Sequence, residues 1–216
     1  MAITPPAVDA TAYLDEDSED VAPKVGTTVQ SGWGAADALL QPKASGDFPN
    51  DFKFTTNTQL IRFLQDEPFS VYESHWIERE GRKSFVCVGD NCPLCTIVGD
   101  KPRGKFAFNV LVLSDEEPNV QILTAPPTFA RQLRAANDDP KRGPLTKFYW
   151  AVSRQGAAAK TTYTLDRVRA ADLMEEWDLD SAKIDEIAAS AVSYDASAIY
   201  VTPQQELLTV ARSVVA

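Results

Sequence analysis

From residue 58 to 165 apolar and polar positions alternate with a period close to two, the spacing of half-buried strands. Segment 58–64 predicts a first strand. In 69–77, Val71, Glu73, His75 and Ile77 fall on one face, and Tyr72, Ser74 and Trp76 on the other. A short strand is predicted at 83–88. The strongest strand pattern is 105–113, where Phe106, Phe108, Val110 and Val112 share a face. Its opposite face, Ala107, Asn109, Leu111 and Leu113, is largely apolar as well. A strand at 119–123 follows the turn Asp115-Glu116-Glu117-Pro118. Pro126 and Pro127 then open a helix over about 126–137, with Phe129 and Leu133 spaced for one face. Segments 147–153 and 161–165 predict a hairpin around Arg154-Gln155-Gly156.

After residue 170 the period lengthens. Segments 170–177 and 181–192 predict helices, the second with Ser181 as its N-cap. Thr202-Pro203-Gln204-Gln205 has the form of a capping box before a last helix, 206–215. The first 30 residues are rich in Ala, Pro, Thr and acids and hold too little apolar surface to offset the entropy of ordering. A short docked element is predicted at 32–40. The expected architecture is mainly β with α: a small barrel, 51–170, between an acidic, largely disordered arm, 1–50, and an acidic helical annex, 171–216.

Composition narrows the function classes. The chain has 216 residues, 44% hydrophobic and 24% charged, which is ordinary globular usage. No run approaches the roughly 18 apolar residues of a spanning helix, so no membrane role is expected. The opening Met1-Ala2-Ile3-Thr4-Pro5-Pro6 lacks a basic segment followed by an apolar one, so no secretion signal is expected. The net charge of −10 is unevenly distributed. Residues 1–50 carry two bases and eight acids, and residues 171–216 two bases and nine acids. The middle 120 residues are +3. A mildly basic centre between acidic ends suits polyanion binding by the core, although acidic ends also serve solubility alone.

Cys87, Cys92 and Cys95 are the only cysteines, and His75 is the only histidine. They form the pattern H-x11-C-x4-C-x2-C. Thiolate and imidazole are zinc's structural ligands, and Cys92-Pro93-Leu94-Cys95 has the tight-turn spacing that lets two sulfurs face one ion. Four such ligands fill a tetrahedral shell, so one structural zinc is expected. Two alternatives are weaker. A redox Cys-x-x-Cys lacks the βαβ surroundings. A zinc nucleobase deaminase needs H-x-E and P-C-x-x-C; here Glu78 stands three residues after His75, and Pro93 lies inside the cysteine pair.

Bases alternate with aromatics around this motif. Candidate phosphate ligands are Arg79, Arg82, Lys83, Lys101, Arg103, Lys105, Lys147 and Arg154. Candidate stacking rings are Trp76, Phe106, Phe108, Tyr149 and Trp150. A positive groove with aromatic platforms is how proteins hold single strands. On an alternating strand Phe106 and Phe108 also suit the core; Trp76 and Tyr149, in polar surroundings, are better platforms.

These features together resemble the single-stranded DNA-binding proteins of tailed phages, of the T4 helix-destabilising type. The resemblance rests on Leu60-Ile61-Arg62-Phe63-Leu64 with Pro68-Phe69, on His75 with Cys87 and Asp90-Asn91-Cys92-Pro93-Leu94-Cys95, and on 105–113, with further likeness at 129–133 and 145–152. It covers about half the chain. It implies an oligonucleotide-binding (OB) barrel with an inserted zinc subdomain at about 70–105. The implied protein is not an enzyme: it coats and protects single strands in replication, recombination and repair, in the cytoplasm of the infected bacterial host. The family has a basic N-terminal arm, whereas residues 1–50 here are acidic. It also has an acidic C-terminal tail that competes with DNA and recruits replication proteins; segment 171–216 matches its sign but is predicted helical. The alternative expectation is a zinc-stabilised protein-interaction or regulatory module.

Overall fold

The structure, a computed structural model, describes residues 49–114, 117–141, 143–157 and 160–215. The N-terminal arm up to residue 48, the docked element at 32–40, and Asp115 and Glu116 of the predicted turn lie outside those residues. The described residues fall within one compact unit, Phe48–Ala216, so 171–216 belongs to the same unit as the strands.

Seven strands make one antiparallel sheet: β1 (Gln59–Phe63), β2 (Ser70–Trp76), β3 (Ser84–Val86), β4 (Arg103–Val112), β5 (Asn119–Ala125), β6 (Tyr149–Gln155) and β7 (Thr162–Val168). Strand β4 is the spine. Its first half pairs with β2, from Ser70↔Ala107 to Ser74↔Arg103, and its second half with β1, from Ile61↔Val112 to Phe63↔Val110. Its other edge takes all of β5, from Phe106↔Ala125 to Val112↔Asn119. β1 continues to β6 and β6 to β7, while β3 extends β2.

The sheet is open. Among the described residues neither β5 nor β3 pairs with β7, so the predicted barrel does not close. Helix α2 (Pro127–Asp138) instead packs against β4, β5 and β7. Its Phe129, Ala130 and Leu133 join Ile61, Phe63, Phe108, Val110, Val112, Leu123, Trp150 and Val152 in the main core. Each large apolar side chain buried there stabilises the fold by about 1.5–3 kcal/mol.

The opposite face of β4 is buried too, as its double apolar pattern predicts. Leu60, Leu111, Leu113 and Tyr149 pack against Leu173 of α3 (Ala170–Trp177) and Ile184 of α4 (Ser181–Ser190). Arg62 ties α4 to β1: it pairs with Asp185, whose carboxylate also accepts from Tyr149 Oη at 3.1 Å. Two predicted caps differ. Asp180, not Ser181, caps α4 by accepting from Ala182 N at 2.9 Å, because the residue ahead of Ser181 offers the carboxylate. No capping box forms before α5 (Gln204–Val215): Thr202 is fully buried, and its hydroxyl has no hydrogen-bond partner among the described residues.

Candidate metal centre and the adjoining groove

The four predicted metal ligands converge. β2 carries His75 inward, and alternation turns Trp76, the next residue, outward. The predicted face Val71, Glu73, His75 and Ile77 has two surroundings. Val71, 60% exposed, and Glu73 face solvent, whereas His75 and Ile77 are buried in the cysteine-bearing module. Cys87 follows β3 and is tied across to β2 by its N–H on Glu73 O at 2.8 Å. Cys92 precedes a single helical turn, α1 (Pro93–Thr96), and Cys95 lies within it. Pro93 suits the first helical position, where its missing N–H costs nothing. Gly89 and Gly99 flank the segment with φ of 88° and 73°, left-handed turns that favour glycine.

The ligand atoms of His75, Cys87, Cys92 and Cys95 all lie within 4.8 Å of one another. Cys87 Sγ and Cys95 Sγ are 3.7 Å apart, and His75 Nε2 is 3.5 Å from both Cys92 Sγ and Cys95 Sγ. A zinc tetrahedron with bonds of about 2.3 Å to sulfur and 2.0 Å to nitrogen has edges of about 3.8 Å between sulfurs and 3.5 Å between sulfur and nitrogen. A disulfide would need sulfurs about 2.05 Å apart. The cluster therefore has the dimensions of a cation site, and these side chains are suited to hold a metal ion.

Electrostatics agree with the dimensions. Burial pushes the Cys92 thiol up, but N–H groups of Val88, Cys95 and Leu94, with the Cys87 thiol, outweigh it and bring Cys92 down to about 7. Cys95 is pushed up to about 12 by burial and by the neighbouring sulfurs of Cys87 and Cys92. Several thiolates this close need a cation to ionise together. Asp100 completes the arrangement: its Oδ2 lies 2.8 Å from His75 Nδ1, leaving Nε2 toward the sulfurs. Sequence spacing did not single out Asp100, although carboxylate–histidine pairing is a general feature of metal sites.

The module has its own small core, and α5 supplies three of its seven buried residues. Leu207, Val210 and Ala211 pack with Ile77, Phe85, Cys92 and Leu94.

Beside the module lies an open groove of about 1050 Å³. Of the predicted DNA-contacting residues, Trp76, Arg82, Lys83 and Lys105 line it. It also gathers Lys53, Tyr72 and Tyr200, which the sequence reading did not select, and one acid, Asp51. Trp76 is 60% exposed. Lys83 pairs with Glu78, which also accepts from Trp76 Nε1 at 3.4 Å. Burial and Arg103 together push the Lys105 ammonium pKa down.

The other predicted contacts divide. Phe108, Tyr149 and Trp150 are core rings, buried because both faces of the sheet are covered; their predicted stacking role is withdrawn. Phe106 packs half-buried against the main core, on the face of β4 away from Lys105, and lines a second, more apolar cavity beside α2. Arg79, Lys101, Arg103, Lys147 and Arg154 do not line the groove. Lys147 instead sits with Arg167 on the ring of Phe148.

No family model matches the chain, and neither a curated protein nor a solved structure does. Among the described residues no helix is long and apolar enough to cross a membrane.

Proposed function

We propose that the chain binds single-stranded DNA without sequence preference, and that one structural zinc ion held by His75, Cys87, Cys92 and Cys95 braces the wall of its binding groove. The observation that carries this reading is Trp76. A large aromatic ring is left 60% exposed in a groove that sets Lys53, Arg82, Lys83 and Lys105 against one acid, Asp51, on the residue adjacent to a buried candidate metal ligand. An exposed ring costs apolar burial, and an excess of cations over acids in one concavity is unfavourable without a counter-charge. Both costs are met when the occupant is a stacked base on a phosphate chain.

The fold is compatible with an opened OB-type arrangement. A long central strand bears two strands on one edge and one on the other, and α2 stands at the unclosed seam. With all four metal positions taken by protein, zinc supplies cross-linking and no site for a reacting water, and we read the chain as a binding protein, not an enzyme. On this reading it coats and protects single strands in phage replication, recombination and repair within the host cytoplasm, with the acidic surface of α3 and α4 available to replication or recombination proteins.

Titrating Trp fluorescence with an oligo(dT) strand and with duplex, at several salt concentrations, tests the proposal. Neutralising three or four phosphates predicts a log–log salt slope of about −2 to −3 for the single strand. Trp76→Ala is expected to weaken binding by about 5- to 150-fold. Equal affinity for duplex, or no affinity for either, overturns the proposal and favours a zinc-stabilised protein-interaction module.

A further inference from the structure

The groove has a wall that comes from far along the chain. Ala198, Ile199 and Tyr200 line it together with Trp76, Arg82 and Lys83, and Tyr200 is 55% exposed. The segment bearing them, 191–203, is moored at both ends. At one end the Asn109 side chain, fully buried in the middle of β4, forms two bonds to Tyr194. Its Nδ2 donates to Tyr194 O, and its Oδ1 accepts from Tyr194 N, both at 2.9 Å. At the other end α5 is packed into the core of the cysteine-bearing module, and Gln204 Nε2 donates to Asn91 O at 3.2 Å. Between the moorings, Asp195 caps a short 3-10 turn, Ala196–Ala198, by accepting from Ser197 N at 2.8 Å. Tyr200 is therefore carried on a strap whose course is fixed by a β4 side chain and by a docked helix.

The chemistry of the strap separates two roles. If it occupied the groove as a competitor for phosphate sites, it would bring negative charge there. It does not. Seven of the nine acids in 171–216 lie between Asp172 and Glu186, on or beside α3 and α4. The stretch 187–205 holds only Asp195, which is engaged in its own cap. What the strap brings to the groove is an aromatic ring with the Arg82 guanidinium 4.5 Å from its centre. Arg82 is itself directed by its Nε–H on Ser84 O at 3.1 Å. A ring that is 55% exposed and has a cation against it can serve as a stacking platform, with the cation beside it to meet a phosphate.

We propose that Tyr200 is a base-stacking residue of the single-strand groove, supplied by the C-terminal strap, so that the groove is lined by aromatic platforms from two distant parts of the chain, Trp76 and Tyr200. This rests on the single-strand reading given above. Segment 191–215 is then part of the binding site, unlike the competing acidic tail of the family that the sequence resembles.

The test uses the full chain and a fluorescein-labelled oligo(dT) strand, so that binding is read independently of the tryptophans. Tyr200→Ala is expected to weaken binding by about 5- to 150-fold, and Tyr200→Phe, which keeps the ring, to stay within about twofold of the unsubstituted chain. A strand carrying 5-iodouracil is expected to photo-cross-link to Tyr200. Because the ring is more than half exposed, both variants should melt with the unsubstituted chain. Tighter binding by Tyr200→Ala would show that the strap obstructs the groove, and overturns the assignment. So does unchanged binding by Tyr200→Ala when Trp76→Ala weakens it. If the unsubstituted chain binds no single strand, the underlying reading fails and this assignment falls with it.

Discussion

Removing the Asp100 carboxylate tests the metal centre without touching a ligand. His75 is completely buried, and its Nδ1 lies 2.8 Å from Asp100 Oδ2. The main chain of Asp100 is itself held by its N–H on Leu94 O at 3.1 Å, beside the imidazole its carboxylate meets. The pair fixes the tautomer with the proton on Nδ1 and presents the Nε2 lone pair to the sulfurs, 3.5 Å away. Loss of such an outer partner typically weakens metal binding by about 10- to 100-fold, or about 1.4–2.7 kcal/mol. Asp100→Ala should show this full range. Asp100→Asn, whose amide oxygen still accepts from Nδ1–H, should lose less.

The assay is competition for zinc against a chromophoric chelator at fixed pH. Cobalt(II) is the spectroscopic check: thiolate-to-cobalt charge transfer in the near ultraviolet should persist in both variants, because three sulfurs and one nitrogen still ligate. With zinc in excess, the melting transition of Asp100→Ala should fall by the linkage amount, whereas with chelator present the variant and the unsubstituted chain should melt together. Zinc affinity of Asp100→Ala within twofold of the unsubstituted chain refutes the orienting role. An equal loss of stability with and without zinc would show that Asp100 acts on the fold alone.

Two further outcomes follow from the same geometry. On the proposed zinc site, Cys92→Ala removes a fully buried candidate ligand and should abolish stoichiometric zinc, with new protease cleavage confined to 75–105; retained zinc with unaltered cleavage would exclude Cys92 as a ligand. Leu207→Ala empties a fully buried position between α5 and the module and should cost about 2–5 kcal/mol in denaturant unfolding. A loss below about 0.5 kcal/mol would mean that α5 does not stabilise the module.

The parts of the fold that sequence revealed are those with local causes. The run 105–113 reads as a strand apolar on both faces, and β4 is covered on both faces by α2 on one side and α3 and α4 on the other. The candidate metal-binding set is legible because a single histidine and three clustered cysteines have few other uses. Stacking residues are not legible in the same way. Tyr149 stands among Lys147, Trp150 and Arg154, which reads as polar ground, yet Leu173 and Ile184 close over it from helices that follow it in the chain. Lys53, Tyr72 and Tyr200 are separated by up to 147 residues and meet only because β2, the segment before β1 and the strap converge. Asp100 was silent because its role depends on a 2.8 Å distance and on no spacing motif.

One strand explains why the metal cluster and the groove adjoin. Alternation along β2 sends His75 to the sulfurs and Trp76 to the groove, so whatever fixes the imidazole also fixes the root of the exposed ring. The turn from β2 to β3 then carries Arg82 and Lys83, and β3 leads directly to Cys87. On the other side, α5 leans on Phe85, Cys92 and Leu94 and holds the end of the strap that carries Tyr200. Trp76, Arg82 and Tyr200 thus reach the groove by three routes that all pass through the same small module, whose buried core contains four side chains from the β2–α1 region and three from α5. A core that small supplies little stability alone, which is the circumstance in which a bound cation contributes most to a fold. On the proposed function, zinc therefore acts on the groove at two walls at once, through β2 and through α5, while touching no bound strand.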